Sequence, residues 1–153
     1  MSSYFFDSSA LVKRYMPEVG TRWIRHLTAP ASGHTILIAH ITLIEMMSAI
    51  ARHYHDGNIT LPILQAFRQQ IEHHTRTQYN VLALVPPILS QALDLHEKYR
   101  LRAYDSIQLA SALTIYLRAA SIGQTITFLS ADTRLLQAAV SEGLATDNPN
   151  QHP

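Results

Sequence analysis

The chain contains no cysteine, which excludes disulfides and thiolate metal sites and fits a reducing compartment. It contains no long apolar run: nothing in the sequence approaches the roughly 18 uninterrupted apolar residues of a membrane span. The N-terminus shows neither the basic segment nor the apolar stretch of a signal peptide, so the expectation is a soluble, cytoplasmic protein with no membrane partner. An excess of charge of one sign is also missing. Twelve Lys and Arg stand against 11 Asp and Glu, a net charge of +1 with histidine neutral. There is then no global basic field, and contacts to nucleic acid would have to come from a local patch. Nine histidines add positive charge only under mild acid. No internal repeat, low-complexity tract or linker interrupts the 153 residues, of which 47% are hydrophobic, enough for one domain with a sizeable core.

Hydrophobic periodicity divides the chain into alternating elements. Short apolar runs at about 4–6, 35–39, 79–84, 125–129 and 144–146 read as strands. Between them lie expected helices at about 8–15, closed by Met16-Pro17, and at 18–29, with Trp23 and Leu27 on one face. A helix at 42–55 carries the stripe Leu43, Met46, Met47, Ile50 and Tyr54, and one at 61–77 carries Leu64, Phe67 and Ile71. Asp56-Gly57-Asn58 is the turn of a helical hairpin. Further helices are expected at 86–99, opened by Pro86-Pro87, at 105–120, and at 132–142, closed by Gly143. Strand–helix alternation implies an α/β protein, a three-layer α/β/α sandwich with a central, mostly parallel sheet. A single domain is expected over 1–147, with a polar C-terminal tail at 148–153.

Four of the acids share a setting, each at or near an expected helix start: Asp7, Glu45, Asp105 and Asp132. A structural explanation exists for each one. Asp is a favoured N-cap, and acids suit the positive end of a helix dipole. Thr42-Leu-Ile-Glu45 and Asp105-Ser-Ile-Gln108 both have the form of a capping box. The joint arrangement points further. Asp7 and Asp132 both follow strands, so a parallel sheet puts them at the same C-terminal edge, where open α/β sheets place ligands. Converging carboxylates repel one another unless a cation neutralises them. A set of oxygen donors without cysteine selects a hard divalent ion, Mg²⁺ or Mn²⁺, and such a site can activate water and stabilise phosphoryl oxygens.

Those residues carry a family resemblance. Tyr4-Phe-Phe-Asp7-Ser-Ser-Ala-Leu-Val-Lys13, the isolated Glu45 early in a long helix, Leu101-Arg-Ala-Tyr-Asp105-Ser-Ile-Gln-Leu-Ala-Ser-Ala112 and Phe128-Leu-Ser-Ala-Asp132 resemble the PIN-domain nucleases, most closely their VapC-like toxin branch. The order and spacing agree over essentially the whole chain. All four acids match; Ser106 stands where alanine is frequent and Ser130 where threonine is frequent. The resemblance implies a Mg²⁺- or Mn²⁺-dependent endoribonuclease with Asp7 and Asp105 as principal metal ligands and Glu45 and Asp132 completing the site directly or through water. It also implies in-line attack by water on a phosphate, leaving a 5′-phosphate and a 3′-hydroxyl. A small antitoxin that blocks the pocket and a homodimeric state are implied as well.

Around the acids, Ser9 and Ser130 are candidates to orient the carboxylates. Lys13, Arg102 and Arg134, with Arg14, are candidates for RNA phosphate contacts, although each taken singly reads as a solvated surface charge. Tyr104 could stack a base, with packing as its default. His53, His55, His73 and His74 lie on the hairpin away from the acids and read as surface or partner contacts in preference to zinc ligands. Two other functions compete. One is a receiver-like phosphoacceptor module, disfavoured by the lack of paired acids after the first strand and of a late Lys-Pro. A haloacid-dehalogenase-type phosphatase fails similarly, having no second Asp two positions after Asp7. The other is a catalytically inactive binding domain, ranked low because all four acids are present.

Overall fold

Two adjacent phenylalanines at the N-terminus set the architecture. Phe5 and Phe6 are both fully buried, yet neighbouring strand residues point to opposite faces. The sheet they belong to must therefore be covered on both sides. The computed structural model describes residues 2–153 and shows this arrangement. Strands β1 (Ser3–Phe6), β2 (Thr35–Ala39), β3 (Tyr79–Leu82), β4 (Ile126–Leu129) and β5 (Ala145–Asp147) form one sheet in the order β3-β2-β1-β4-β5, and every pairing is parallel. Seven α-helices lie among the described residues: α1 (Ser8–Leu11), α2 (Thr21–Leu27), α3 (His40–His55), α4 (Leu61–Thr77), α5 (Pro86–Lys98), α6 (Ala103–Ala120) and α7 (Thr133–Ser141). None is long and apolar enough to cross a membrane.

The two faces have separate cores. Phe6 and Leu129 join Leu11, Ile24, Met46, Ile50 and Ile71, which α1 to α4 contribute. Phe5 and Phe128 join Ile88, Leu95, Leu109, Leu113 and Leu135, which α5 to α7 contribute. The Phe5 and Phe128 rings stack with centroids 5.9 Å apart, directly across the β1–β4 pairing. Helix α6 presents Ala110, Ser111 and Ala112, all buried, and these small side chains let it lie close to the sheet. The three-layer sandwich expected from the alternation is the observed fold.

Strand order decides where a site can form. The chain runs outward from β1 through β2 to β3, then returns by α5 and α6 to place β4 on the other side of β1. This reversal opens a crevice beyond the C-terminal ends of β1 and β4. The pairing continues one residue past β1, where Asp7 N donates to Leu129 O at 2.9 Å.

Several element boundaries differ from the sequence expectation. The second helix starts at Thr21, not 18, because Gly20 takes a left-handed φ of 85° and Glu18 N is turned back onto Thr21 Oγ1. Helix α3 begins at His40 with Ala39 as its uncharged N-cap, so Thr42-Leu-Ile-Glu45 is not a capping box. Helix α6 begins at Ala103 after Arg102, which puts Asp105 inside the first turn and rules out the second capping box. In both cases a strand end or connector already supplies the extended residue a helix needs in front of it, and the polar side chains are used elsewhere. The C-terminal residues fold back: Pro149 is buried, His152 stacks on Trp23 at 3.9 Å, and its Nε2 lies 2.9 Å from Asp147 Oδ1.

Gly20 is where this return meets the body of the protein. A Cβ there would run into the backbone carbonyl of Pro149, and the positive φ is already costly for any residue with a side chain. Gly20→Ala is expected to lower the stability by about 1–3 kcal/mol, read as a lower urea midpoint at unchanged slope.

Candidate functional site

Four chain segments deliver the four acids to the crevice. Asp7 follows β1, Asp132 lies three residues beyond β4, Glu45 sits in the second turn of α3, and Asp105 in the first turn of α6. All four line one cleft with a cavity of about 440 Å³. Two of them do act as helix caps. Asp7 Oδ2 accepts from Ser9 N at 3.3 Å, and Asp132 Oδ1 accepts from Arg134 N at 2.8 Å and Leu135 N at 3.1 Å. Capping and cleft lining are thus the same geometry here, since a cap residue at a strand end faces the crevice.

Two serines splice the β1 and β4 loops together through Asp7. Ser9 Oγ donates to Asp7 Oδ2 at 2.5 Å and accepts from Ala131 N at 2.9 Å. Ser130 Oγ donates to the same oxygen at 2.9 Å and accepts from Asp132 N at 3.0 Å. Each hydroxyl has one proton and commits it to Asp7, while its lone pairs hold the backbone leading to Asp132. Asp7 is buried, with 3% exposure, and its other oxygen has only Ser8 Oγ, at 3.4 Å.

The electrostatics are those of a site short of positive charge. Burial pushes the Asp7 carboxyl above its ordinary range, opposed by the hydroxyls of Ser9 and Ser130. Burial likewise raises Glu45 to about 7; the Gln108 amide opposes the rise, and the charges of Asp7 and Asp105 add to it. Asp105 is raised by burial first, then by Asp7 and Asp132, with Arg102 offsetting part of this. Among the described residues none of the four acids closes an ion pair. A hard divalent cation fits this donor set, because it would relieve both the burial penalty and the mutual repulsion. The fit is an open one. Among the described residues no three His, Asp or Glu side chains stand close enough together to hold a metal ion. An ion here would therefore draw directly on fewer than three of these carboxylates and complete its shell with water or phosphate oxygens, as Mg²⁺ ordinarily does.

The basic residues divide differently from the sequence expectation. Arg102 lines the cleft. Lys13 does not: it is 4% exposed, and its ammonium lies 2.8 Å from Glu18 Oε2, which withdraws it as an RNA contact. Arg134 is exposed on the outer side of α7 and is not among the lining residues. Arg14 is turned away as well, donating to Tyr79 and Gln78. Arg52, missed in the sequence, lines the cleft together with Tyr104. The signal for Arg52 was its position seven residues after Glu45, two turns along the same helix face. His74 turns inward to bond Tyr15 at 2.8 Å, and burial first, then the charges of Arg14 and His73, lowers it to about 4; it is a neutral packing partner at physiological pH.

Known structures share the fold. FitAcB from Neisseria gonorrhoeae superposes with a TM-score of 0.66 at 16% identity over 95% of this chain and 97% of that one. A toxin-antitoxin complex from Klebsiella pneumoniae gives 0.61 at 18% identity, covering 95% and 97%. VapBC2 from Rickettsia felis, bound to a DNA fragment from its promoter, gives 0.60 at 12% identity, covering 95% and 98%. At these identities the likeness is one of fold. No curated protein matches the sequence. The PIN-domain family model matches residues 4–140, which takes in all four acids and every strand but the last, and the chain therefore belongs to the PIN-domain family.

Proposed function

We propose that this protein is a Mg²⁺- or Mn²⁺-dependent endoribonuclease and the toxin of a toxin–antitoxin pair. One observation carries the reading: carboxylates from four separate segments line one cleft without a single ion pair among them. Such an arrangement costs stability in the absence of a cation and gains a use in its presence. A bound divalent ion supplies activation of water and neutralisation of charge on phosphoryl oxygens. Asp7 and Asp105 are the principal residues to hold it, with Glu45 and Asp132 completing the site. Ser9 and Ser130 fix the Asp7 carboxylate so that little reorganisation is needed when substrate arrives.

On the substrate side, Arg52, Arg102 and Tyr104 share the cleft with the acids. Neither arginine is in an ion pair among the described residues, although both lie in an acidic cleft. That leaves two guanidinium groups for backbone phosphates flanking the scissile bond. Tyr104, 55% exposed, offers a face on which an unpaired base can stack. A small antitoxin protein and a second copy of the chain are the proposed partners; the support is the fold shared with the Klebsiella pneumoniae toxin-antitoxin complex. Phosphoacceptor chemistry at Asp7 is poorly supported, because its Oδ2 is held by two hydroxyls and the residue is buried.

Asp7→Asn is expected to abolish Mg²⁺- or Mn²⁺-dependent cleavage of labelled RNA. Its melting temperature in EDTA should equal or exceed that of the wild type, since a buried charge has been removed. If wild-type protein cut no RNA with either ion, the nuclease reading would fall.

The pH dependence has a defined sign. The folded Glu45 carboxyl titrates near 7, above its ordinary 4.5, so its contribution to stability is complete below 4.5 and is lost as pH rises through 7. Asp7 and Asp105 are shifted in the same direction. In EDTA the stability of the wild type should therefore fall relative to Glu45→Gln between pH 5 and pH 8, and Mn²⁺ should close the gap. Thermal melts of the two proteins at both pH values measure it.

Arg52→Gln and Arg102→Gln should each raise KM for RNA. Each should also flatten the salt dependence of binding by about 0.7 in log–log slope, the value for one phosphate contact on a single strand.

A further inference from the structure

Gln108 and Thr42 are both completely buried, on two different helices, α6 and α3. Gln108 Nε2 donates to Glu45 Oε2 at 2.6 Å and to Thr42 Oγ1 at 2.9 Å. Thr42 Oγ1 lies 3.1 Å from Gln108 Oε1. The observed orientation, with Nε2 facing Glu45, is the one an ionised carboxylate requires, since it can only accept. The Thr42 hydroxyl can donate or accept and anchors the amide from its other flank. A buried amide and a buried hydroxyl are a poor choice for simply joining two helices, where apolar side chains of the same size serve without a desolvation cost. The short bond to a carboxylate is the exception, since charge-assisted bonds are about twice as strong as neutral ones.

We propose that Gln108 is a positioning residue for the metal site: its carboxamide, anchored by Thr42, holds one oxygen of Glu45 and leaves the other for the cation. The inference rests on the metal-dependent reading of the cleft. Gln108 touches neither substrate nor cation; it acts through Glu45. Its place on α6, one turn after Asp105, couples the two acids on different helices, so a shift of α3 against α6 would move Glu45 and Asp105 relative to each other only by breaking the amide bond. No capping role accounts for Gln108, since α6 starts five residues earlier.

The test uses full-length protein stripped with EDTA, followed by its melting temperature as MnCl₂ is added. Gln108→Met keeps the volume and removes the amide. Thr42→Val keeps the shape and removes the anchor while leaving Gln108 in place. The expected result is a Mn²⁺ midpoint moved upward roughly 10–100-fold in Gln108→Met, the range for loss of a residue that orients a metal ligand, with a smaller upward shift in Thr42→Val. A residue that only stabilised the fold would lower the metal-free melting temperature and leave the midpoint where it was. An unchanged midpoint in folded Gln108→Met overturns the proposal. Should that variant not fold, an unchanged midpoint in Thr42→Val overturns it equally. A wild type that shows no Mn²⁺ response overturns the metal reading itself, a distinct failure.

Discussion

The parallel pairing of β1 with β4 is the interaction on which the rest depends. It sets Phe6 opposite Leu129 and Phe5 opposite Phe128, which anchors a core on each face of the sheet. It also brings the loop after β1 level with the loop after β4, so that Asp7 and the Ser130–Asp132 segment emerge side by side. The hydroxyls of Ser9 and Ser130 then have only to cross a few ångströms to tie both loops to one carboxylate oxygen. If β4 were paired elsewhere, Asp7 would lose the Ser130 hydroxyl and keep only the partners of its own segment, Ser8 and Ser9, and more of the cost of ionising it would fall on the fold.

The cleft is a case of local structure and chemistry using the same atoms. Asp7 and Asp132 satisfy helix N–H groups that would otherwise be orphaned, and they do so at the edge where a cation could bind. The helix dipoles favour negative charge there, which partly offsets the repulsion among the acids. The remaining strain is visible in Glu45, pushed up to about 7. A fold that concentrates carboxylates this way gives up some stability, and under the proposed metal-dependent reading a bound cation would restore it.

Much of this was legible in the residues taken in order. The apolar runs and the turn residues between them were enough for the α/β layering, because burial on both faces gives parallel strands their short continuous hydrophobic pattern. Asp7 and Asp132 stood out as strand-end acids, and Ser9 and Ser130 as their neighbours. Other residues were not legible. Thr42 and Gln108 fitted capping boxes on paper, yet both helices begin earlier than the boxes require. Local propensity cannot reveal that two side chains 66 residues apart in the chain meet. Lys13 misled for the complementary reason: it lies close to Asp7 in sequence, but the 3-10 turn after α1 carries it away from the cleft, to Glu18.

By itself, then, the sequence determined which residue types were available: hard oxygen donors, no thiolate, no global basic field, and elements in an order compatible with a parallel sheet. These depend on composition and period, which no packing can alter. Only the tertiary structure decided which of those residues share a space. Placing β4 beside β1 joined Asp7 to Asp132, docking α6 against α3 joined Gln108 to Glu45, and the helix face of α3 selected Arg52 over Lys13 for the cleft. The reason is geometric: contacts between distant residues are set by strand order and by helix rotation, and neither is written in any local stretch of chain.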